Sequence, residues 1–198
     1  IWCMHFIGNR AIVLGDGAKN LQILYSMTFT GVSFALPVCV LLVAFSTVGA
    51  GEKAGYFRIL TGGFLTGSAV CAMHYVGQLG IANYKCSYQI AHVVGSAIIA
   101  IFASTASLGI FFRWRATWTD SWWRRSISAL LLAAAVTGMH FTATTGTSYR
   151  DHDNNVNHGE QLSRSQTVII CAVLVGLSFT TIGIHRRYLP IIVVRVLY

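Results

Sequence analysis

The chain has 198 residues, of which 55% are hydrophobic and only 10% charged, and its mean hydropathy is +0.61. Soluble domains carry about 25% charged residues, so this composition argues against a soluble protein and indicates long segments inside a lipid bilayer. The net charge of +8 would suit a nucleic-acid partner in a soluble protein. Here the basic residues lie at the ends of apolar runs, so we expect them to set membrane orientation and expect no nucleic-acid partner.

The apolar runs predict membrane helices, each of which needs about 20 residues. Ile1–Leu14 is interpreted as the end of an earlier span, which makes the chain a piece of a longer protein. Tyr188–Tyr198, interrupted by Pro190 and Arg195, predicts either a seventh span or an interfacial segment. The predicted fold class is all-α, a polytopic transmembrane bundle of six to seven spans forming one domain over residues 1–198. The five full spans predicted are Ile23–Val48, Ile59–Ile81, Tyr88–Phe112, Ser126–Thr147 and Gln166–Ile184.

The basic residues are divided unequally between the two sides of this predicted bundle. Nine of the 14 Lys and Arg residues fall on one side, which the positive-inside rule makes cytoplasmic. We therefore expect a multi-pass protein, placed in the plasma membrane, with the opposite side facing outward. The nine residues are Lys53, Arg58, Arg113, Arg115, Arg124, Arg125, Arg186, Arg187 and Arg195.

A Met-His-aromatic motif occurs three times, as "MHFIGN", "MHYVGQ" and "MHFTAT". The histidines His5, His74 and His140 are separated by 69 and 66 residues, and each interval holds one motif helix and one return helix. This regularity predicts three two-helix repeats of parallel topology, related by an axis along the membrane normal. Each motif is expected near the outer end of its helix, so the histidines should lie at similar depth.

These motifs are candidate metal ligands. A buried imidazole costs several kcal/mol unless it is partnered, so ionisable residues inside a membrane are functional candidates. A thioether beside an imidazole suits copper, especially Cu(I). Gly8, Gly77 and Ala143, three residues after each histidine, would let another helix approach. The candidate metal ligands are Met4, His5, Met73, His74, Met139 and His140.

Other interpretations of the histidines stay open at this point. They could ligate a haem, form a proton relay in a transporter, or make a hydrogen-bonded packing cluster in a structural membrane module. The acidic residues all fall in loops, which counts against an ion-coupled transporter. No Ser-His-Asp pattern or phosphate-binding glycine loop is present in the sequence, so we predict that the chain is not an enzyme.

Two smaller groups of residues are given structural interpretations. His152 and His158, among acidic residues in an outer segment, are interpreted as part of a solvated polar loop. The five cysteines show no CxxC pattern and predict no disulfide framework. Cys39, Cys71 and Cys171 lie in apolar runs and are interpreted as small packing residues.

The three motif copies give the chain a resemblance to the MHYT domain family, whose fungal members the polar loops resemble in particular. The resemblance implies an integral membrane sensor of oxygen, carbon monoxide, nitric oxide or redox state that uses bound copper, with signalling domains such as GGDEF or EAL beyond this chain. The family pattern is closer to MHYxGM, and Asn9, Gln78 and Thr144 stand where it has a second Met. Copper by resemblance thus loses up to half of its soft ligands, and these three residues are expected to hydrogen-bond the histidines instead.

Overall fold

The computed structural model describes residues 1–14, 22–49, 55–113, 122–151 and 161–197. Its described residues form six α-helices and four short strands. The helices are α1 (Trp2–Gly8), α2 (Met27–Gly49), α3 (Tyr56–Leu79), α4 (Ile90–Arg113), α5 (Trp122–Thr145) and α6 (Arg164–Leu197). The strands are β1 (Tyr25–Ser26), β2 (Tyr84–Tyr88), β3 (Thr147–Asp151) and β4 (Gln161–Leu162).

Five helices are long and apolar enough to cross a membrane, which confirms the predicted polytopic bundle. A helix of 23 or 24 residues is about 35 Å long and covers the hydrocarbon core of about 30 Å. Large apolar side chains such as Phe57 and Phe102 are exposed on the outside of the bundle, as a lipid-facing surface requires. The spans are Met27–Gly49, Tyr56–Leu79, Ile90–Phe112, Ser126–Thr145 and Arg164–Ile184.

Helix α3 lies at the centre of the bundle. It packs against α2 on one side and α4 on the other, and it also contacts α1 and α5. Small residues allow this packing, since a Cβ atom added at Gly67 would lie 2.5 Å from Cα of Ile101 on α4. Because α3 is central, His74, which lies near the C-terminal end of this helix, is next to the two other motif helices.

Strands form in the connections beside the histidine ends of the helices, at positions where the sequence predicted the ends of spans. Tyr25, Tyr88 and Thr147 were expected inside spans, but they lie in β1, β2 and β3. β2 pairs with β3, and β1 pairs with β4, both antiparallel. Backbone groups beyond a helix end need hydrogen-bond partners, and these connections supply them to one another. The two small sheets therefore lie at the end of the bundle near which His74 and His140 are found.

Helix α6 continues without a break from Arg164 to Leu197. Its 34 residues correspond to about 51 Å, longer than the hydrocarbon core of a bilayer. The segment that begins at Tyr188 therefore extends α6 through Pro190. The segment is therefore not a separate seventh helix, whereas its placement at the membrane interface stays a prediction. The predicted loop residues His152 and His158 lie outside the described residues.

Candidate metal centre

Three histidines meet near the C-terminal ends of α1, α3 and α5. Nδ1 of His74 lies 3.1 Å from Nδ1 of His5 and 3.2 Å from Nδ1 of His140. One ring nitrogen from each of the three lies within 4.8 Å of the others, and all three side chains are fully buried. The repeat spacing predicted equal depth, and the fold converts that equal depth into direct contact.

The three imidazole rings are arranged around a common centre. Their centroids are 4.8, 5.1 and 5.3 Å apart, and each pair of rings is nearly perpendicular, at 84°, 81° and 87°. Near-equal distances and angles are what a pseudo-threefold axis through parallel repeats produces. The arrangement directs a nitrogen of each ring toward the other two.

Glycines three residues after the histidines make room for the rings of other repeats. A Cβ atom at Gly8 would lie 2.5 Å from Nε2 of His140, and one at Gly77 would lie 2.5 Å from Nε2 of His5. Each glycine therefore accommodates an imidazole, rather than the backbone of a helix as the sequence suggested. In the third repeat the same position is Ala143, which is buried.

The polar residues that replace the second methionine behave differently in the three repeats. Nδ2 of Asn9 lies 3.4 Å from Nε2 of His5 and donates to the hydroxyl of Tyr25 at 3.2 Å. Gln78 instead donates to the Tyr149 hydroxyl at 3.2 Å, and Thr144 donates to the backbone carbonyl of His140 at 2.8 Å. Asn9 therefore contacts its histidine ring, Thr144 bonds only the backbone of its histidine, and Gln78 bonds a tyrosine instead of a histidine.

Two ring nitrogens of the histidine cluster have no hydrogen-bond partner within the part of the chain that the structure describes. They are Nε2 of His74 and Nε2 of His140, and Oδ1 of Asn9 is unpaired as well. Burying a polar atom without a hydrogen bond costs about 1–3 kcal/mol. The site therefore keeps several unpaired polar groups in an apolar setting.

The motif methionines lie in two apolar clusters beside the histidines. Met73 and Met139 are fully buried, and Met4 is partly buried. Met73 packs in a cluster with Trp2 and other residues of α1, whereas Met139 packs in a second cluster that Met4 also contacts. Ligation by the three thioethers stays a prediction.

Two tyrosines and a cysteine hydrogen-bond to Asn9 and Gln78 beside the site, and the sequence analysis did not find them. Tyr25, in β1, is almost fully buried, and burial raises its pKa to about 12. Burial likewise raises the pKa of Tyr149, in β3, and raises that of Cys86, in β2, to about 11. The alternating segment "YKCSY" carried the two-residue period of a strand and could have indicated this element.

Fold and site together define a class of protein: a multi-pass helical membrane protein whose repeats bring three histidines together near one end of the bundle. The family model of the MHYT domain, described as "Bacterial signalling protein N terminal repeat", matches residues 1–62 and 67–122. The chain belongs to the MHYT family.

Two relatives are signalling proteins of bacteria. The chain is 26% identical over 151 residues to the signaling protein YkoW of Bacillus subtilis, and 31% identical over 150 residues to MucR of Pseudomonas aeruginosa, a bifunctional diguanylate cyclase/cyclic di-GMP phosphodiesterase. Each match covers 75% of this chain but only 18% of YkoW and 21% of MucR. The chain thus spans about a fifth of the length of either relative. No solved structure matches it.

The family assigns the chain a broad role. It is a membrane sensory or signalling module, and the matched repeat belongs to a sensory family rather than a catalytic one. Both relatives are named as signalling proteins or enzymes over their full length, and the match to this chain covers about a fifth of each.

Proposed function

We propose that His5, His74 and His140 bind one metal ion through their Nδ1 atoms and that this site is the sensory element of the module. The observation that carries the proposal is that Nδ1 of His5 and Nδ1 of His140 both lie close to Nδ1 of His74, at 3.1 and 3.2 Å.

The distances fit a metal site. Imidazole nitrogens bind Zn²⁺ at about 2.0–2.1 Å, which places the nitrogens of a tetrahedral site about 3.3–3.4 Å apart. The two Nδ1 separations measured from His74 are 3.1 and 3.2 Å, shorter than this by only about 0.2 Å. Small rotations of the rings would be enough to place all three lone pairs on one ion.

Hydrogen bonds alone satisfy these nitrogens poorly. In a neutral imidazole Nδ1 either carries one proton or offers one lone pair, so Nδ1 of His74 can make one good hydrogen bond. The Nδ1 atoms of His5 and His140 compete for that one bond. A central cation would use all three Nδ1 lone pairs at once. This favours a metal site over a packing cluster.

Asn9 supports the tautomer that such a site needs. A metal on Nδ1 requires the proton on Nε2, which then needs an acceptor. The amide of Asn9 lies against Nε2 of His5, and its oxygen is unpaired. Turning the amide about its final bond, which exchanges the similar oxygen and nitrogen, makes that oxygen the acceptor. Asn9 would then hold His5 in the ligating orientation.

Copper is the metal we propose. Among divalent ions it binds nitrogen sites most tightly, and its reduced form accepts thioethers. Met73 and Met139 are fully buried beside the histidines, and Met4 is the third candidate. When bound, copper would supply a centre that changes redox state or takes up a diatomic gas. The histidines would hold it, Asn9 would orient one of them, and the buried surroundings would limit access of water.

The same proposal covers placement and output. The module would lie in the plasma membrane with its site near the outer surface, since most Lys and Arg residues fall at the opposite ends of the spans. Residues 1–198 would act as one domain and pass the signal to signalling domains elsewhere in the protein. Helix α6, which extends to Leu197, is suited to carry it.

Elemental analysis of the detergent-purified protein tests the metal site. The parent is expected to hold near-stoichiometric copper, and a triple variant with His5, His74 and His140 changed to Ala is expected to lose it. The matched control is His92→Ala, because His92 is a partly buried histidine on α4 outside the cluster.

Two other results of the elemental analysis would contradict parts of the proposal. Zinc in place of copper would keep the site and overturn the choice of metal. An absence of metal in the parent, after growth and purification with added copper, would show that the histidines form a packing cluster.

A further inference from the structure

Two thiols face each other between α1 and α6. Sγ of Cys3 lies 3.9 Å from the backbone oxygen of Cys171, and Sγ of Cys171 lies 3.9 Å from the backbone oxygen of Cys3. Cys171 is fully buried, and Cys3 is partly buried in the same apolar cluster. The sequence predicted only a packing role for Cys171, because it lies in an apolar run, and the two cysteines are 168 residues apart.

This reciprocal contact places the two cysteine side chains side by side. Disulfides join cysteines whose Cα atoms lie about 4.4–6.8 Å apart and whose Cβ atoms face each other. Small rotations about the two side-chain bonds could then bring the sulfurs together. The three other cysteines are Cys39, Cys71 and Cys86, and none shows such a reciprocal contact in the described structure.

We propose that Cys3 and Cys171 form a reversible disulfide that ties α1 to α6. The two thiols lose two protons and two electrons as the sulfur–sulfur bond forms. The oxidant is a quinone dissolved in the bilayer, which takes up both electrons and both protons and becomes the hydroquinone. A lipid-soluble oxidant fits because the pair lies within apolar segments, where water-soluble oxidants have little access.

The bond would connect two helices with different tasks. α1 carries His5, and α6 is the helix that continues farthest, to Leu197. Within the described residues, α6 makes its main helix contact with α1. A covalent link at this contact would fix the position of α6 relative to the histidine site. The inference stands on the thiols alone and does not depend on metal binding.

Oxidation in proteoliposomes tests the pair. The reduced protein is treated with decylubiquinone, whose fully substituted ring cannot add a thiol, and a chelator is present to prevent metal-catalysed oxidation by air. Free thiols are then counted in denaturant, and peptides are mapped without reduction. The number of thiols should fall from five to three, with Cys3 and Cys171 in one linked peptide pair. Dithiothreitol should restore all five.

Matched variants separate this pair from the other cysteines. Cys3→Ser and Cys171→Ser should each keep four thiols after quinone treatment, whereas Cys39→Ser should fall from four to two. Retention of all five thiols in the parent, or a link between other cysteines, would overturn the proposal. Bridging by hydrogen peroxide but not by the quinone would overturn the choice of oxidant.

Discussion

Gly77→Ala is the substitution that most directly tests the arrangement of the rings. The added Cβ would lie 2.5 Å from Nε2 and 3.0 Å from Cδ2 of His5. Carbon and nitrogen atoms in ordinary contact are about 3.5 Å apart, so the ring must retreat by about 1 Å. Metal–ligand distances tolerate only about 0.2 Å, so we expect metal affinity to fall at least about 10-fold.

The stability of the variant follows from two opposing terms. Alanine stabilises a helix interior relative to glycine by about 1 kcal/mol, while overpacking costs about 1–3 kcal/mol. Overpacking therefore equals or exceeds the gain, and the free energy of unfolding should stay level or fall by up to about 2 kcal/mol. Metal affinity should thus respond more strongly than stability.

The assay combines chelator competition for metal affinity with thermal unfolding in detergent. Gly138→Ala is the matched control, because Gly138 directly precedes Met139 and has no atom within 4 Å of the added Cβ position. Gly8→Ala should reproduce the effect of Gly77→Ala, since its Cβ meets His140 at the same distance of 2.5 Å. If Gly77→Ala and Gly138→Ala bind metal equally well, the packing of His5 against Gly77 plays no part in a metal site.

Three further predictions concern the residues around the histidines. Asn9→Ala should lower metal affinity about 10–100-fold, as loss of a residue that hydrogen-bonds a metal ligand does. Thr144→Ala should leave metal affinity unchanged, because the Thr144 hydroxyl bonds the backbone of its own helix. Equal effects of the two variants in chelator competition would contradict this prediction. Tyr149→Phe removes the acceptor of the Gln78 amide and should lower the free energy of unfolding by about 1 kcal/mol, and unchanged thermal unfolding would refute the bond. Burial raises the pKa of Cys86 to about 11 by disfavouring the thiolate. The rate of Cys86 alkylation by iodoacetamide should therefore be low at about pH 8 and reach half of its maximum near pH 11. A midpoint at about pH 8.5 would show an exposed thiol.

Much of the fold was predictable because its signals are local. Hydropathy alone placed the five spans to within a few residues, since crossing a bilayer demands a long apolar helix. The strands were missed because Tyr25 and Tyr88 adjoin apolar runs, and their pairing depends on residues that lie far away in sequence. Tyr25 faces Leu162, and Tyr88 faces Thr147.

The sequence predicted that the three histidines lie at one depth, but it did not decide whether their rings touch. Three motifs at matched helical positions required His5, His74 and His140 to lie at similar depth, because depth follows from position along a spanning helix. Only the packing of α1, α3 and α5 around one another decided that the three rings touch.

Tertiary structure also decided which neighbours matter. The residues four positions after the histidines occupy equivalent places in the three repeats, yet only Asn9 contacts a histidine ring. Gln78 instead hydrogen-bonds Tyr149 of β3. The pairing of Cys3 with Cys171 likewise arises only where α1 meets α6. Sequence periodicity fixes the depth and the face of a residue along its own helix, whereas contacts between helices depend on how the whole bundle packs.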